Sequence, residues 1–418
     1  MTQTKEFLTL DDLDFKGKTT FLRVDINCPL DEKTKKITDI SRIRAAAPTT
    51  KELIAKGARV VVLAHQGRPG DWDFVSLEEH SKKLQEVLGV NVRFVTDVCG
   101  ERAQQAIKSL KNGEILLLEN QRFNPDEMKE KTPLEHSQST CIRNLASLGD
   151  IFVNDAFSAA HRSQCSLVGF TEVMPSAAGR LMESEITSLT RLANPVKPSV
   201  FIFGGAKFAD SIKVVDNVLE RETADQVILV GLTAQAFLKA KGVNLGPPNE
   251  KALEKEGTPE LYKSARSVLD KHKDRILLPD DFAIDKDGKR FEITIDELPT
   301  DYPICDIGSN STERFRKVIS KARTIFVSGP AGVYEKPQFL KGTSSVMEGI
   351  VSSKAFSVAG GGHTTAALEL VGFLSKISYV STAGGALERF VMGKAMPAIE
   401  ALKASAIKFR RQWARHSY

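Results

Sequence analysis

Basic side chains recur just beyond apolar runs in the first 165 residues of this 418-residue chain. The run FLRVDINCP (21–29) is followed by Arg42 and Arg44. RVVVLAHQGRP (59–69) carries His65 and Arg68, EILLLENQRF (114–123) carries Arg122, and IFVNDAFSAAHRS (151–163) carries His161 and Arg162. Each run reads as a buried strand. In an open α/β sheet, ligands bind beyond the carboxyl ends of the strands. Four such ends carrying cations imply one basic basin, suited to a small, multiply anionic molecule. Singly, each arginine could be a solvated surface cation; the shared layout argues against coincidence. Asp25 and Asn27 close the first run. They could be satisfied turn residues, or they could bind a substrate hydroxyl.

The apolar runs of the second half end in glycine instead: SVFIFGGAK (199–207), QVILVGLTA (226–234), TIFVSGPAGV (324–333), AFSVAGGGHTT (355–365) and ISYVSTAGGA (377–386). Glycine lets backbone N–H groups approach phosphate closely, and helix N-termini behind such loops favour anions. In GGAK, Gly204, Gly205 and Ala206 would expose N–H groups and Lys207 would add a compact cation; a tight strand–helix turn is the plain alternative. No GxxxxGK[ST] occurs, and no GxGxxG follows a strand, so neither a Walker loop nor a dinucleotide fingerprint is present. Pro330 and Gly332 follow another strand. Glu335 behind them could accept from ribose hydroxyls or be a solvated loop carboxylate. His363, inside a glycine loop, could be a metal ligand, a base, a phosphate donor or a structural residue. One half thus suits an anionic small molecule and the other a nucleotide, which implies phosphoryl transfer between the two.

The elements that must position these residues alternate. Helical patterns such as SRIRAAAPTTKELIAKG (41–57), LEEHSKKLQEVLG (77–89) and ADSIKVVDNVLERE (209–222) separate the strand-like runs. Such alternation predicts the α/β class, with parallel sheets covered by helices on both faces. The length predicts two or three domains. A boundary is expected in 173–199, where a helix beginning after Pro175 and ending at Asn194 would serve as a hinge. Hydrophobic residues make up 41% and charged residues 27%, an ordinary globular balance. A net charge of +5 fits anionic small ligands and is too weak and dispersed to imply nucleic acid. The basic C-terminal tail reads as a docking segment rather than a nucleic-acid contact. Five scattered cysteines, with no CxxC pair, argue against a disulfide framework or a zinc site and predict a reducing compartment. With no signal-like segment and no apolar run near about 18 residues, a cytoplasmic location is expected.

RVDINCP, RIRAAAPT, AHQGRP, LENQRF, NDAF followed by AHR, GGAK, LPDDFAID, DIGSNS, GPAGVYE, GGGHT and STAGGA occur in the order found in phosphoglycerate kinases. The chain resembles that family along essentially its whole length. GGGHT in place of the commoner GGGDT, with Ser211 after GGAK, resembles the archaeal branch. The resemblance implies two doubly wound, parallel-sheet (Rossmann-like) domains of similar size, joined by a hinge helix around a central cleft. Residues 1–176 would bind 3-phosphoglycerate or 1,3-bisphosphoglycerate, 177–198 would form the interdomain helix, and 199–395 would bind ADP or ATP with Mg²⁺. Residues 396–418 would return to the first domain. The implied protein is a monomer, with a homodimer as the alternative, and contacts neither nucleic acid nor membrane.

Residue by residue, the resemblance makes Asp25, Asn27, His65, Arg68, Arg122, His161 and Arg162 substrate-binding, and Arg42 both substrate-binding and catalytic. It assigns Gly204, Gly205, Ala206 and Lys207 to the phosphate loop, with Lys207 catalytic, and places Gly231 near the adenine. Pro330, Gly332, Val333 and Glu335 fall on the nucleotide-sugar segment, and Gly361, Gly362, His363 and Thr364 on the phosphate and metal segment. Two departures stand out. His363 replaces a common aspartate, which leaves the metal ligands unassigned, and Ser211 replaces a common second lysine. The implied reaction, in-line transfer between 1,3-bisphosphoglycerate and ADP after domain closure, needs no general base, because the attacking phosphate oxygen is already ionised. The alternatives are another acyl-phosphate kinase and a catalytically weak nucleotide-binding module.

Overall fold

The computed structural model describes residues 6–413, the side chains of 410–413 excepted. The chain divides into two compact units. One runs up to Thr187 and resumes at Ala395; the other is Ser188–Lys394.

The first unit is built on a seven-stranded parallel sheet of β1 (Leu8–Thr9), β2 (Thr19–Arg23), β3 (Arg59–Leu63), β4 (Val92–Val95), β5 (Ile115–Leu118), β6 (Ile151–Asn154) and β7 (Ser176–Ala178). The strand order is β1-β7-β6-β2-β3-β5-β4. Alternate residues feed opposite faces. Leu22, Val60, Val62, Leu117 and Val153 join one core, while Phe21, Val61, Leu63, Leu116 and Phe152 join the other. Both faces are covered, which is why the strands read as continuous apolar runs. The helices Ser41–Ala55 and Glu78–Leu88 cover the first face; Glu101–Lys108 and Thr140–Ala146 cover the second. The order brings β6, β2, β3 and β5 side by side, so the four basic strand ends are neighbours. The chain leaves β2 for β3 on one side, and β6 lies on the other. This is a switch point of the kind that opens a crevice at the carboxyl edge.

The helix expected to begin after Pro175 begins later. Ser176–Ala178 form β7 between β1 and β6, and the helix is Arg180–Ala193. Small residues fit this crowded position, where the Pro175 carbonyl accepts from the Phe152 N–H at 3.0 Å. The helix start is tied down by Arg180, whose guanidinium donates to Glu52 and Asp11.

The second unit holds a six-stranded parallel sheet of β8 (Ser199–Phe203), β9 (Gln226–Leu229), β10 (Ile276–Leu277), β14 (Thr324–Ser328), β15 (Phe356–Gly360) and β16 (Tyr379–Ser381), ordered β10-β9-β8-β14-β15-β16. The five glycine-ended runs are therefore adjacent. Beside this sheet lies one the sequence pattern did not announce: β11 (Asp281–Lys286), β12 (Lys289–Thr294) and β13 (Ile304–Ile307), antiparallel in the order β12-β11-β13. Its hairpin turns at Asp287 and Gly288, with φ of 53° and 78°. Positive φ at both central residues is what a two-residue type I′ turn requires.

The helix Pro397–Trp413 belongs to the first unit. The Ala398 N–H donates to the Ala160 carbonyl at 3.1 Å, and Lys408 Nζ to that of Glu172 at 2.8 Å. The end of the basic tail, 414–418, lies outside the described residues. Among those described, no helix is long and apolar enough to cross a membrane.

Candidate functional site

The basin of the first unit is assembled from the loops after β2, β3, β5 and β6. Asp25 accepts from Arg42, at the start of the Ser41–Ala55 helix, from the Ser158 hydroxyl and from the Asn27 N–H. Burial opposes ionisation of Asp25, but these partners outweigh it and hold the carboxyl well below its ordinary value. Asn27 Oδ1 accepts from the Gly67 N–H at 3.0 Å, and the Arg122 guanidinium donates to the Gly67 carbonyl. The Gly67 turn is thereby gripped from two strands. Its φ of +63° places a hypothetical Cβ 2.5 Å from the Asp73 backbone, so no other residue fits.

Arg68 is exposed beside this turn, and Arg42 is partly exposed. Arg122 is buried, and its Nε and NH2 atoms have no hydrogen-bond partner among the described residues. Burial, then the neighbouring Arg162 and Arg23 cations, pull Arg122 down to about 10. Burial and Arg68 likewise lower Arg162, whose Nε donates to His161 Nε2 at 3.2 Å. Cations pressed together this way bind an anion that relieves their repulsion. The eight residues expected here therefore gather at one edge of one sheet.

Three groups in this region were not singled out by sequence reasoning. Arg23, fully buried at the end of β2, donates to His65 Nδ1 at 2.8 Å and to Ser166 Oγ at 2.8 Å. Ser166 in turn donates to Glu127. Burial and the Arg23 charge hold His65 well below its ordinary value, so its ring is neutral. The signal for Arg23 was a charged residue inside an otherwise buried strand, which is rare unless it is paired.

In the second unit the glycine loops pack backbone against backbone. The Gly205 N–H donates to the Pro330 carbonyl at 2.9 Å, and the Gly204 N–H to that of Ser328 at 2.8 Å. Gly231 has φ of +60°, and a Cβ there would lie 2.9 Å from Gly205 N. Thr364 ties the next loop in: its hydroxyl accepts from the Gly329 N–H at 2.7 Å and donates to the Gly360 carbonyl at 2.6 Å. Lys207 and Ala206 are exposed at the start of the Phe208–Glu220 helix. Ser211, one turn on, donates to the Lys207 carbonyl, so it cannot replace a second cation.

Behind these loops a cavity of about 180 Å³ is walled by Gly231, Leu232, Phe282, Ile304, Ala331 and Val333, with Glu335 and His363 also among its lining residues. An apolar slot beside the N-terminus of a helix suits a nucleotide base attached to phosphates; the Gly204 and Gly205 N–H groups, expected to face phosphate, are instead spent on the Ser328 and Pro330 carbonyls. Phe282 and Ile304 come from the antiparallel sheet, from β11 and β13. The glycine run AGGGHTT (359–365) is more helix than loop. Gly361 (φ +92°) precedes a helix at Gly362–Leu370, so His363 lies on its first turn, with Nδ1 3.1 Å from the Tyr334 hydroxyl. Among the described residues no three His, Cys, Asp or Glu side chains are grouped to hold a metal ion.

A family model described as phosphoglycerate kinase matches residues 10–394. The phosphoglycerate kinase of Methanococcus maripaludis is 46% identical over 413 residues, covering 97% of this chain and 100% of that one. That of Methanothermus fervidus is 44% identical over 399 residues, covering 95% and 97%. The crystal structure of the Pyrococcus horikoshii OT3 enzyme superposes with a TM-score of 0.87 at 42% identity, over 96% of this chain and 100% of that chain. A basic basin at one parallel sheet, glycine loops around an apolar slot at another, and full-length similarity of this degree lead to one conclusion: the chain belongs to the phosphoglycerate kinase family.

Proposed function

We propose that the basin of the first unit holds the phosphoglycerate and that the glycine loops and apolar slot of the second hold the nucleotide. The reaction is the glycolytic one of the family, reversible phosphoryl transfer between 1,3-bisphosphoglycerate and ADP, giving 3-phosphoglycerate and ATP. The observation that carries the assignment of the basin is the crowding of Arg122, Arg162 and Arg68 with unpartnered Arg122 N–H groups. Arg42 and Lys207 are the proposed stabilisers of charge on the transferring group. No side chain need act as a base, since the nucleophile is an ionised phosphate or carboxylate oxygen. Mg²⁺ enters as part of the nucleotide substrate. The described residues offer it no carboxylate cluster, and we assign it no protein ligand. A monomer working in the cytoplasm is part of this reading; the five cysteines, all free, support a reducing compartment.

Replacing Arg122 with alanine tests the basin. The KM for 3-phosphoglycerate should rise about 10–100-fold, the loss expected for a buried charge-assisted contact, with the KM for ATP within about twofold. A change confined to ATP would put Arg122 at the wrong ligand. Rising sulfate should mimic the same defect in the unmodified enzyme, by competition and screening.

His363 tests the nucleotide side. Bound phosphates close to His363 should move its imidazole NMR signals, because they bring anionic oxygens against the ring. His363→Asp should keep the fold, since the side chain is exposed, and should change the Mg²⁺ dependence, a carboxylate being a better ligand for that ion. An unmoved imidazole NMR signal on adding ATP, with unchanged Mg²⁺ dependence in the variant, would confine His363 to its contact with Tyr334.

A further inference from the structure

Four buried polar side chains form one directed chain beneath the basin. The Glu127 carboxylate follows the Gln121–Phe123 turn, Ser166 lies in the short helix Cys165–Val168, Arg23 ends β2, and His65 follows β3. Their exposures are 1%, 2%, 0% and 4%. Glu127 Oε2 accepts the Ser166 N–H at 2.8 Å, and Oε1 accepts the Ser166 hydroxyl at 2.6 Å. The hydroxyl proton is thus committed to the carboxylate. The remaining lone pairs of Ser166 Oγ face Arg23, whose Nε donates to them at 2.8 Å. A second guanidinium nitrogen donates to the Val24 carbonyl, and the third, NH2, lies 2.8 Å from His65 Nδ1.

A guanidinium has donors and no acceptor. His65 Nδ1 must therefore be the unprotonated nitrogen, and the neutral ring carries its proton on Nε2. A proton on Nδ1 would set N–H against N–H between two buried side chains. Glu127 also balances the buried Arg23 charge, without which a cation in that place would be strongly destabilised. The other charged groups acting on the ring are Asp25, Arg122 and Arg162. Asp25, itself held by Arg42 and Ser158, favours imidazolium, but burial and the Arg23 charge outweigh it and Arg122 and Arg162 add to them.

We propose that Glu127 and Ser166 are positioning residues that act through Arg23 to fix His65 as a neutral Nε2–H donor toward the anionic substrate. The proposal rests on the reading of the basin as the phosphoglycerate site, and it assigns His65 to hydrogen bonding rather than to proton transfer. A ring locked in this tautomer presents the same Nε2–H to an anion at any physiological pH, whereas one free to exchange tautomers would present a lone pair part of the time.

The test is ¹⁵N-edited NMR of His65 in the full-length protein between pH 5 and 9, first without ligand. The expected spectrum shows an unprotonated Nδ1 and a protonated Nε2 throughout the range. An Nδ1–H tautomer, or titration within that range, would overturn the proposal whatever the protein's activity. Ser166→Ala, which keeps both charges, and Glu127→Gln should then each let the Arg23 guanidinium turn away from His65 Nδ1 and so release the ring into a tautomer mixture. Each should raise the KM for 3-phosphoglycerate about tenfold, the loss of one well-placed hydrogen bond to a charged group, with the KM for ATP within about twofold. A purely structural role predicts a lower melting temperature with the tautomer and both KM values unchanged, and that result would also overturn it. A wild-type protein that shows the expected tautomer but does not turn over 3-phosphoglycerate would instead refute the proposed function.

Discussion

Replacing Arg42 with alanine should lower kcat about 10²–10³-fold, the size of effect seen when one donor to developing charge is removed, while the KM for ATP changes little. Arg42 stands on the first turn of its helix, with its guanidinium paired to Asp25 and about a third exposed. One guanidinium nitrogen is held by the carboxylate, while the side chain keeps its exposed part toward solvent. A planar, pre-oriented fork matches the equatorial oxygens of a phosphoryl group in transfer. Arg42→Lys should recover only part of the rate, because an ammonium keeps the charge and loses the geometry. In the alanine variant Asp25 loses its cation, so melting temperatures must be compared in parallel. A kcat near the normal value would reduce Arg42 to a counter-ion for Asp25.

Gly329→Ala should weaken ATP binding at least about 30-fold and lower the melting temperature, while leaving 3-phosphoglycerate binding to the first unit intact. Gly329 has φ of +93°, and a Cβ there would lie 2.2 Å from the Gly204 carbonyl oxygen and 2.3 Å from its carbon. Positive φ alone costs about 1–2 kcal/mol for alanine, and the clash with backbone adds to it. Relief requires the Gly204–Gly205 loop to move away from Pro330, breaking the Gly205–Pro330 hydrogen bond that shapes the phosphate cradle. Gly362→Ala supplies the contrast. A Cβ there meets nothing within 4 Å, and the residue already begins a helix. Its fold should be unchanged, so any loss of ATP affinity in Gly362→Ala measures how closely the phosphates approach. Calorimetric titration with each substrate separates the two cases. Normal ATP affinity in Gly329→Ala would show that the loops tolerate rearrangement and do not form the cradle.

Much of this was legible because buried parallel strands announce themselves. FLRVD, RVVVL, EILLL and IFVN are continuous apolar runs, and their order in the sheet made four separate cations into one basin. The glycine-ended strands were legible for the same reason. Burial of individual arginines was not: Arg68 and Arg122 look alike in sequence, yet one is exposed and the other sits under the Gly67 turn, a difference created by the packing of three loops. Arg23 and Glu127 were hidden because their partners lie 143 and 39 residues away, at Ser166. β7 escaped because Ser176–Ala178 has none of the β-branched residues that mark a strand. The antiparallel sheet carried a cue in Asp287-Gly288, flanked by segments too polar to read as a core.

The central claim is that the two half-sites exchange a phosphoryl group. The most direct measurement is turnover with 3-phosphoglycerate and ATP, with 1,3-bisphosphoglycerate consumed by an excess of a coupling dehydrogenase. The account predicts turnover that requires both substrates and Mg²⁺, and that falls about 10²–10³-fold in Arg42→Ala. A properly folded protein that binds ATP and 3-phosphoglycerate, each with ordinary affinity, yet forms no 1,3-bisphosphoglycerate would contradict it and leave a nucleotide-binding module with a basic surface.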